Sequence, residues 1–208
     1  NVQPYCASCG GMTSKVTPQL VPPGTGLPTI ELLLARALFA VHRLVGDHSS
    51  FSTRFEEERS TIRALTSFCE EPQRGVPMPI PRLRGLEESS RNWSLWMVLD
   101  HLRINNLLFA DIISLLAAGR TPDSSVSTAT VKPDPAVQAE VEQDFEDSCS
   151  HFLAAVAPLA ATPPEIPIPR HPHPWFGPLD ARGWHALASM HMAVHRAQIF
   201  AIIKALPP

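Results

Sequence analysis

No run of about 18 or more apolar residues occurs in the sequence, so no membrane-spanning helix is expected. The formal net charge is only −3. That lacks the basic excess with which proteins hold a phosphate backbone, so nucleic acid is not an expected partner. No stretch shows the strict polar–apolar alternation of a half-buried strand, and there is no internal repeat. Cysteine is scarce: Cys6, Cys9, Cys69 and Cys149 are the only four. Cys6 and Cys9 form a C-x-x-C pair, but no second pair completes a four-ligand zinc knuckle. Their context is coil, not the strand-to-helix junction of a redox motif, so a bland or locally paired role is expected.

Apolar residues, in contrast, make up 44% of the 208 positions, enough for a real core in one domain of moderate size. Proline is abundant, with 22 residues falling almost wholly in segments that read as loops. The chain starts at Asn1, not methionine, so removal of an upstream segment, a signal peptide included, is compatible with it. Cytoplasmic localisation is the expectation.

Residues 1–27 are rich in Pro, Gly, Ser and Thr and read as an irregular arm. Residues 28–208 read as one helical domain. Its first helical run, Thr29 to Val45 after the first-turn residue Pro28, carries an apolar stripe at Ile30, Leu33, Leu34, Ala37, Leu38, Val41 and Val45. Gly46 and Asp47 break or kink it before a second run from Phe51 to Phe68, with apolar points at Phe51, Phe55, Ile62, Leu65 and Phe68. Glu56, Glu57 and Glu58 read there as a solvated face. After the proline-rich loop 72–86, a helix is predicted from about Trp93 to Ala118, stopped by Gly119. Asp134 and Pro135 read as the N-cap and first turn of the next helix, with Val137, Val141, Phe145, Cys149, Phe152 and Val156 at helical spacing. Residues 163–180, PPEIPIPRHPHPWFGPLD, suit neither helix nor ordinary strand. A last helix runs from about Asp180 to Leu206. Long amphipathic helices joined by proline-rich loops predict an all-α four-helix bundle.

Chemistry concentrates on the last helix. Its apolar stripe is Trp184, Leu187, Ala188, His191, Val194, His195, Ile199, Ile202 and Leu206. The HMAVH spacing therefore stacks His191 and His195 one turn apart on the inward face. On the 93–118 helix, His101 shares the line of Val98, Asn105, Leu108 and Ile112 and also faces inward. Buried imidazoles need partners, because an unsatisfied polar group costs roughly 1–3 kcal/mol. Three neutral imidazoles from two helices make a facial site for zinc, nickel or a similar ion, with an open fourth position. Taken singly, each histidine reads more simply as a satisfied core residue. Asn105 and Gln198 are candidates to orient the rings or a bound water, or equally to bond helix to helix in the core.

Other polar and aromatic candidates carry weaker signals. Arg103 and Arg196 point to other faces and read as surface residues. Trp93, Trp96, Trp175, Phe176 and Trp184 read as packing before pocket wall. His171 and His173 read as exposed loop residues bordering the site. His185 lies on another face, His42 beside the first stripe is a fourth ligand candidate, and His48 and His151 read as surface residues. A di-iron bundle is disfavoured, since no Glu-x-x-His appears on the first and third helices.

At these residues the chain resembles the DinB-like superfamily, the DinB/YfiT-like metalloenzymes. The resemblance rests on His101 in WSLWMVLDHL and on HPWFGPLDARGWHALASMHMAVHRAQI, which contains His191 and His195, and it covers roughly residues 28–206. It implies a four-helix bundle whose histidine triad binds a divalent metal, usually zinc or nickel. Characterised relatives include S-transferases and isomerases that use mycothiol, bacillithiol or glutathione. The expectation is a metal-dependent enzyme, a thiol-dependent S-transferase or a hydrolase acting through a metal-bound thiolate or water. Its partners would be a small-molecule substrate, a low-molecular-weight thiol cosubstrate and, in a homodimer, a second copy. The alternative is a non-catalytic metal-binding or stress-response bundle.

Overall fold

The structure, a computed structural model, describes residues 22, 24–123, 125–161 and 167–207. Most of the N-terminal arm, with Cys6 and Cys9, lies outside them. The elements follow in the order α1 (Thr29–Val45), α2 (His48–Phe68), the single turn α3 (Glu71–Arg74), α4 (Leu95–Ala117), α5 (Val141–Val156), a hairpin of β1 (His171–His173) and β2 (Gly177–Leu179), and α6 (Ala181–Ala205). Helices α2, α4, α5 and α6 form a four-helix bundle, with α4 packed on both α5 and α6, and α2 on α6. The all-α class matches the helical patterning. By length and composition, α6 is the one described helix apolar enough to cross a membrane, and half of that window is buried inside the bundle.

Local chemistry fixes the helix ends. Between α1 and α2 the chain breaks outright. Asp47 caps α2 by accepting from Ser50 N at 2.8 Å, and Ser50 Oγ accepts from Asp47 N at 2.7 Å. A Cβ on Gly46 would lie 2.2 Å from the Phe51 ring, so glycine alone permits this close return. Ser94 and Asp180 cap α4 and α6, accepting from Met97 N at 3.1 Å and Gly183 N at 2.7 Å. Gly119 ends α4 with φ +73, a conformation natural to glycine. Phe51, Phe55 and Ile62 of α2 meet Phe145 and Phe152 of α5 and Trp184 of α6 in the core. The Phe55 and Phe152 rings stack 4.5 Å apart.

The structure departs from several sequence expectations. The apolar stripe of α1 faces out: Phe39 is the only buried residue of that helix. Phe68 is likewise exposed. Glu58 is not part of a solvated face, since it pairs with Arg196 of α6. Helix α5 starts at Val141, seven residues beyond the expected cap. Asp134 instead accepts from Ala136 N at 2.8 Å in a local turn, while its own N–H donates to the buried Asp100 at 2.9 Å; a side chain that caps a turn cannot also cap the helix. Residues 171–179 are a hairpin, with His171 opposite Leu179, Pro172 opposite Pro178 and His173 opposite Gly177. Facing prolines are tolerated where an antiparallel ladder exchanges no bond.

Candidate metal centre

His101 projects from α4, and His191 and His195 from successive turns of α6. One ligand atom from each lies within 4.8 Å of the others. His101 Nε2 and His191 Nε2 are 3.2 Å apart. Two nitrogens bound tetrahedrally to one cation at about 2.0–2.1 Å would sit about 3.3 Å apart.

The far side of two rings is fixed. His101 Nδ1 lies 2.6 Å from the Val131 carbonyl oxygen. A carbonyl only accepts, so Nδ1 carries the proton and Nε2 keeps its lone pair. His195 Nδ1 lies 2.7 Å from Gln198 Oε1. Gln198 cannot turn over, because its Nε2 donates to the Ser90 carbonyl at 2.7 Å. His195 Nε2 is therefore also a free acceptor. His191 Nδ1 is buried and has no partner among the described residues. Burial pushes the His101 pKa down to about 4. Burial, and then the neighbouring imidazoles, hold His191 and His195 well below the ordinary value. All three rings are thus neutral at pH 7, the form that ligates metals.

The two amides part company. Gln198 directs a ring. Asn105 donates to its own helix, to the His101 carbonyl at 2.8 Å, and its Nδ2 sits 3.3 Å from both ring nitrogens of His101. Equal distances to both nitrogens mark a packing contact across the ring, with Asn105 also lining the cavity beside the triad.

That cavity holds about 140 Å³. Leu27, Phe109, Leu187 and Met190 form its apolar wall, and His173, Trp175 and Phe176 of the hairpin close one side. His173 is pushed by burial to a pKa of about 4, and its Nδ1 accepts from Trp175 N at 3.1 Å. His171 is buried, with no partner for Nε2 among the described residues. Neither is the exposed loop residue that the sequence implied. Trp93 stacks behind the triad, 6.3 Å from His195 with near-parallel planes and 5.1 Å from His101. Trp96 and Trp184 pack in the core. Arg103 and Arg196 are held by Asp100 and Glu58, outside the cavity wall. His42 bonds Ser189 at 3.0 Å, His48 bonds the Val156 carbonyl at 2.9 Å, His151 is exposed, and buried His185 contacts Ser52 Oγ at 3.2 Å; none joins the triad.

Sequence reasoning missed Glu87 and Lys132, an ion pair in the cavity wall. Lys132 also donates to Ser89 Oγ at 2.9 Å and Ser90 Oγ at 3.3 Å, and lies over the Trp93 ring. Glu87 accepts from Gly24 N at 2.8 Å, tying the end of the arm to the site. Burial raises the Glu87 pKa, but the contacts of Lys132 and the other donors outweigh it and leave the carboxyl below its ordinary value.

No family model matches the chain, and no curated protein matches it. Among solved structures it is similar to that of TT2238, a four-helix bundle protein, with a TM-score of 0.54 and 21% identity over 74% of this chain and 99% of that one. At that identity the likeness establishes the four-helix bundle fold.

Proposed function

We propose that His101, His191 and His195 bind one divalent transition metal, with zinc or nickel best suited to an all-imidazole set. On this reading the chain is a metal-dependent enzyme of DinB-like type acting on a small, largely apolar substrate. The carrying observation is the pair of anchored Nδ1–H groups on His101 and His195, which leaves both Nε2 lone pairs free, in a cluster whose ligand atoms lie within 4.8 Å of one another beside a cavity. A cation held by these residues would supply Lewis acidity to a thiol or water in the cavity. Val131 and Gln198 hold the tautomers. Leu27, Phe109 and Leu187 exclude bulk water, and the Glu87–Lys132 pair stiffens the wall next to Ser90, whose carbonyl fixes Gln198. A thiol-dependent S-transfer or a hydrolysis fits this arrangement. A purely metal-storing bundle would close its site, so the cavity favours the catalytic reading.

The test is elemental analysis of the protein as purified and after incubation with zinc and nickel, beside His191→Ala/His195→Ala. About one ion per chain in the parent and none in the variant is expected. Negligible metal in both overturns the proposal. Thiols offered with electrophiles, and ester or amide substrates offered without thiol, then separate transferase from hydrolase.

A further inference from the structure

Helix α1 is docked inside out. Its polar groups are spent on the body of the protein. Arg36 Nε donates to the Trp175 carbonyl at 2.6 Å, His42 bonds Ser189, and Arg43 binds Asp180 through two contacts at 3.0 and 3.1 Å. Glu31 accepts from Gly85 N at 2.6 Å. Phe39 is the single buried anchor, its ring 4.7 Å from Phe176. With that side fixed, seven apolar side chains between Ile30 and Val45 are left 56–83% exposed. At 100° per residue they fall on one arc opposite Phe39. Monomers rarely expose an apolar patch beyond roughly 300–600 Å², and one partner in a stable interface contributes about 800 Å². Seven side chains of this size, each more than half exposed, reach that range.

We infer that this face of α1 is the interface with a second copy of the chain, the two α1 helices lying antiparallel across a two-fold axis near Ala37 and Leu38. A two-fold interface must be self-complementary, residue i meeting j while j meets i. The sequence satisfies this. In an antiparallel pairing centred between Ala37 and Leu38, Ile30 comes opposite the partner's Val45, and Leu34 opposite the partner's Val41. The small Ala37 at the crossing lets the two backbones approach. No charged side chain interrupts the seam, because Glu31, Arg36 and Arg43 all bond inward. The same helix carries Ala35 into the cavity wall and holds the hairpin through Arg36, so pairing would brace one wall of the cavity.

The test is sedimentation of the full chain at about 1–100 µM, a span covering the weaker affinities that interfaces of this area show, beside Leu34→Glu/Val41→Glu. Both positions are solvent-exposed, so the variant should keep the parent's helical circular dichroism. The expected result is two chains per particle for the parent and one for the variant. An Ala37→Cys variant in a Cys6→Ser/Cys9→Ser background should, on mild oxidation, form a covalent dimer, whereas Glu57→Cys in the same background should not. A parent that stays monomeric to about 100 µM overturns the inference and leaves the arm or another molecule as the cover of this face. A dimer unaffected by the two glutamates also overturns it. Metal content is read on the same samples and is independent of either outcome.

Discussion

At His195 one side chain decides which ring nitrogen faces the cavity. Gln198 accepts from Nδ1 and is itself held by the Ser90 carbonyl. Replacing it with leucine removes that acceptor and strands the carbonyl. Gln198→Leu should weaken metal binding by about 10–100-fold, the usual effect of losing such a supporting contact, and lower stability by about 1–3 kcal/mol. Competition against a coloured chelator and a denaturant melt read the two effects. Gln198→Glu, which keeps an acceptor, should retain most of the affinity. His185 makes a separate residue-scale case. Burial, with the His48 ring adding to it, pushes its pKa down to about 3. The unfolded chain protonates this histidine near pH 6.5, whereas the folded chain does not until about pH 3. Its contribution to stability is therefore complete above pH 6.5 and falls by up to about 1.4 kcal/mol per pH unit as the pH drops through that window. Urea melts between pH 4 and 7 should show a shallower dependence for His185→Leu than for the parent; equal slopes would mean that His185 does not titrate in this way. The inward placement of the triad, Gln198 and Asn105 was legible in the sequence because all lie on helices, where a period of 3.6 assigns a face. Glu87 and Lys132 were not. They lie in loops, and only tertiary folding brings them together.

Among the elements, boundaries set by local chemistry were legible in the sequence and those set by distant partners were not. The breaks at Gly46 and Gly119 and the caps at Ser94 and Asp180 follow from local chemistry. The late start of α5 and the outward face of α1 do not, because each depends on distant partners, Asp100 for one and Asp180, Ser189 and Trp175 for the other. Amphipathicity shows that a helix has an apolar face, not what covers it. The hairpin escaped because proline argues against strands, yet two facing prolines fit the non-bonded position of a short ladder. Gly177 makes that hairpin possible. Its φ is +71, and an added Cβ would meet nothing within 4 Å, so its role is conformational alone. Gly177→Ala should cost about 1–2 kcal/mol, or roughly 2–4 °C in Tm per kcal/mol at this chain length, and Gly177→Asn less. Thermal melts decide this; an alanine variant as stable as the parent would remove the strain argument.

Over the whole molecule, the bundle brings α4 and α6 together so that three imidazoles cluster within 4.8 Å, while the 80–90 and 126–132 loops, the hairpin and α1 line the cavity beside them. The helices carry the three imidazoles, and the loops and hairpin shape most of the cavity beside them. On the proposed reading, His101, His191 and His195 are the only protein groups that would hold the ion. X-ray absorption at the metal edge of the zinc- or nickel-loaded protein reads that ligand set. The expected spectrum has about three imidazole nitrogens near 2.0–2.1 Å with a further light atom, and a sulfur near 2.3 Å after addition of a thiol. A spectrum of carboxylate oxygens, or one unchanged in His191→Ala/His195→Ala, would contradict it.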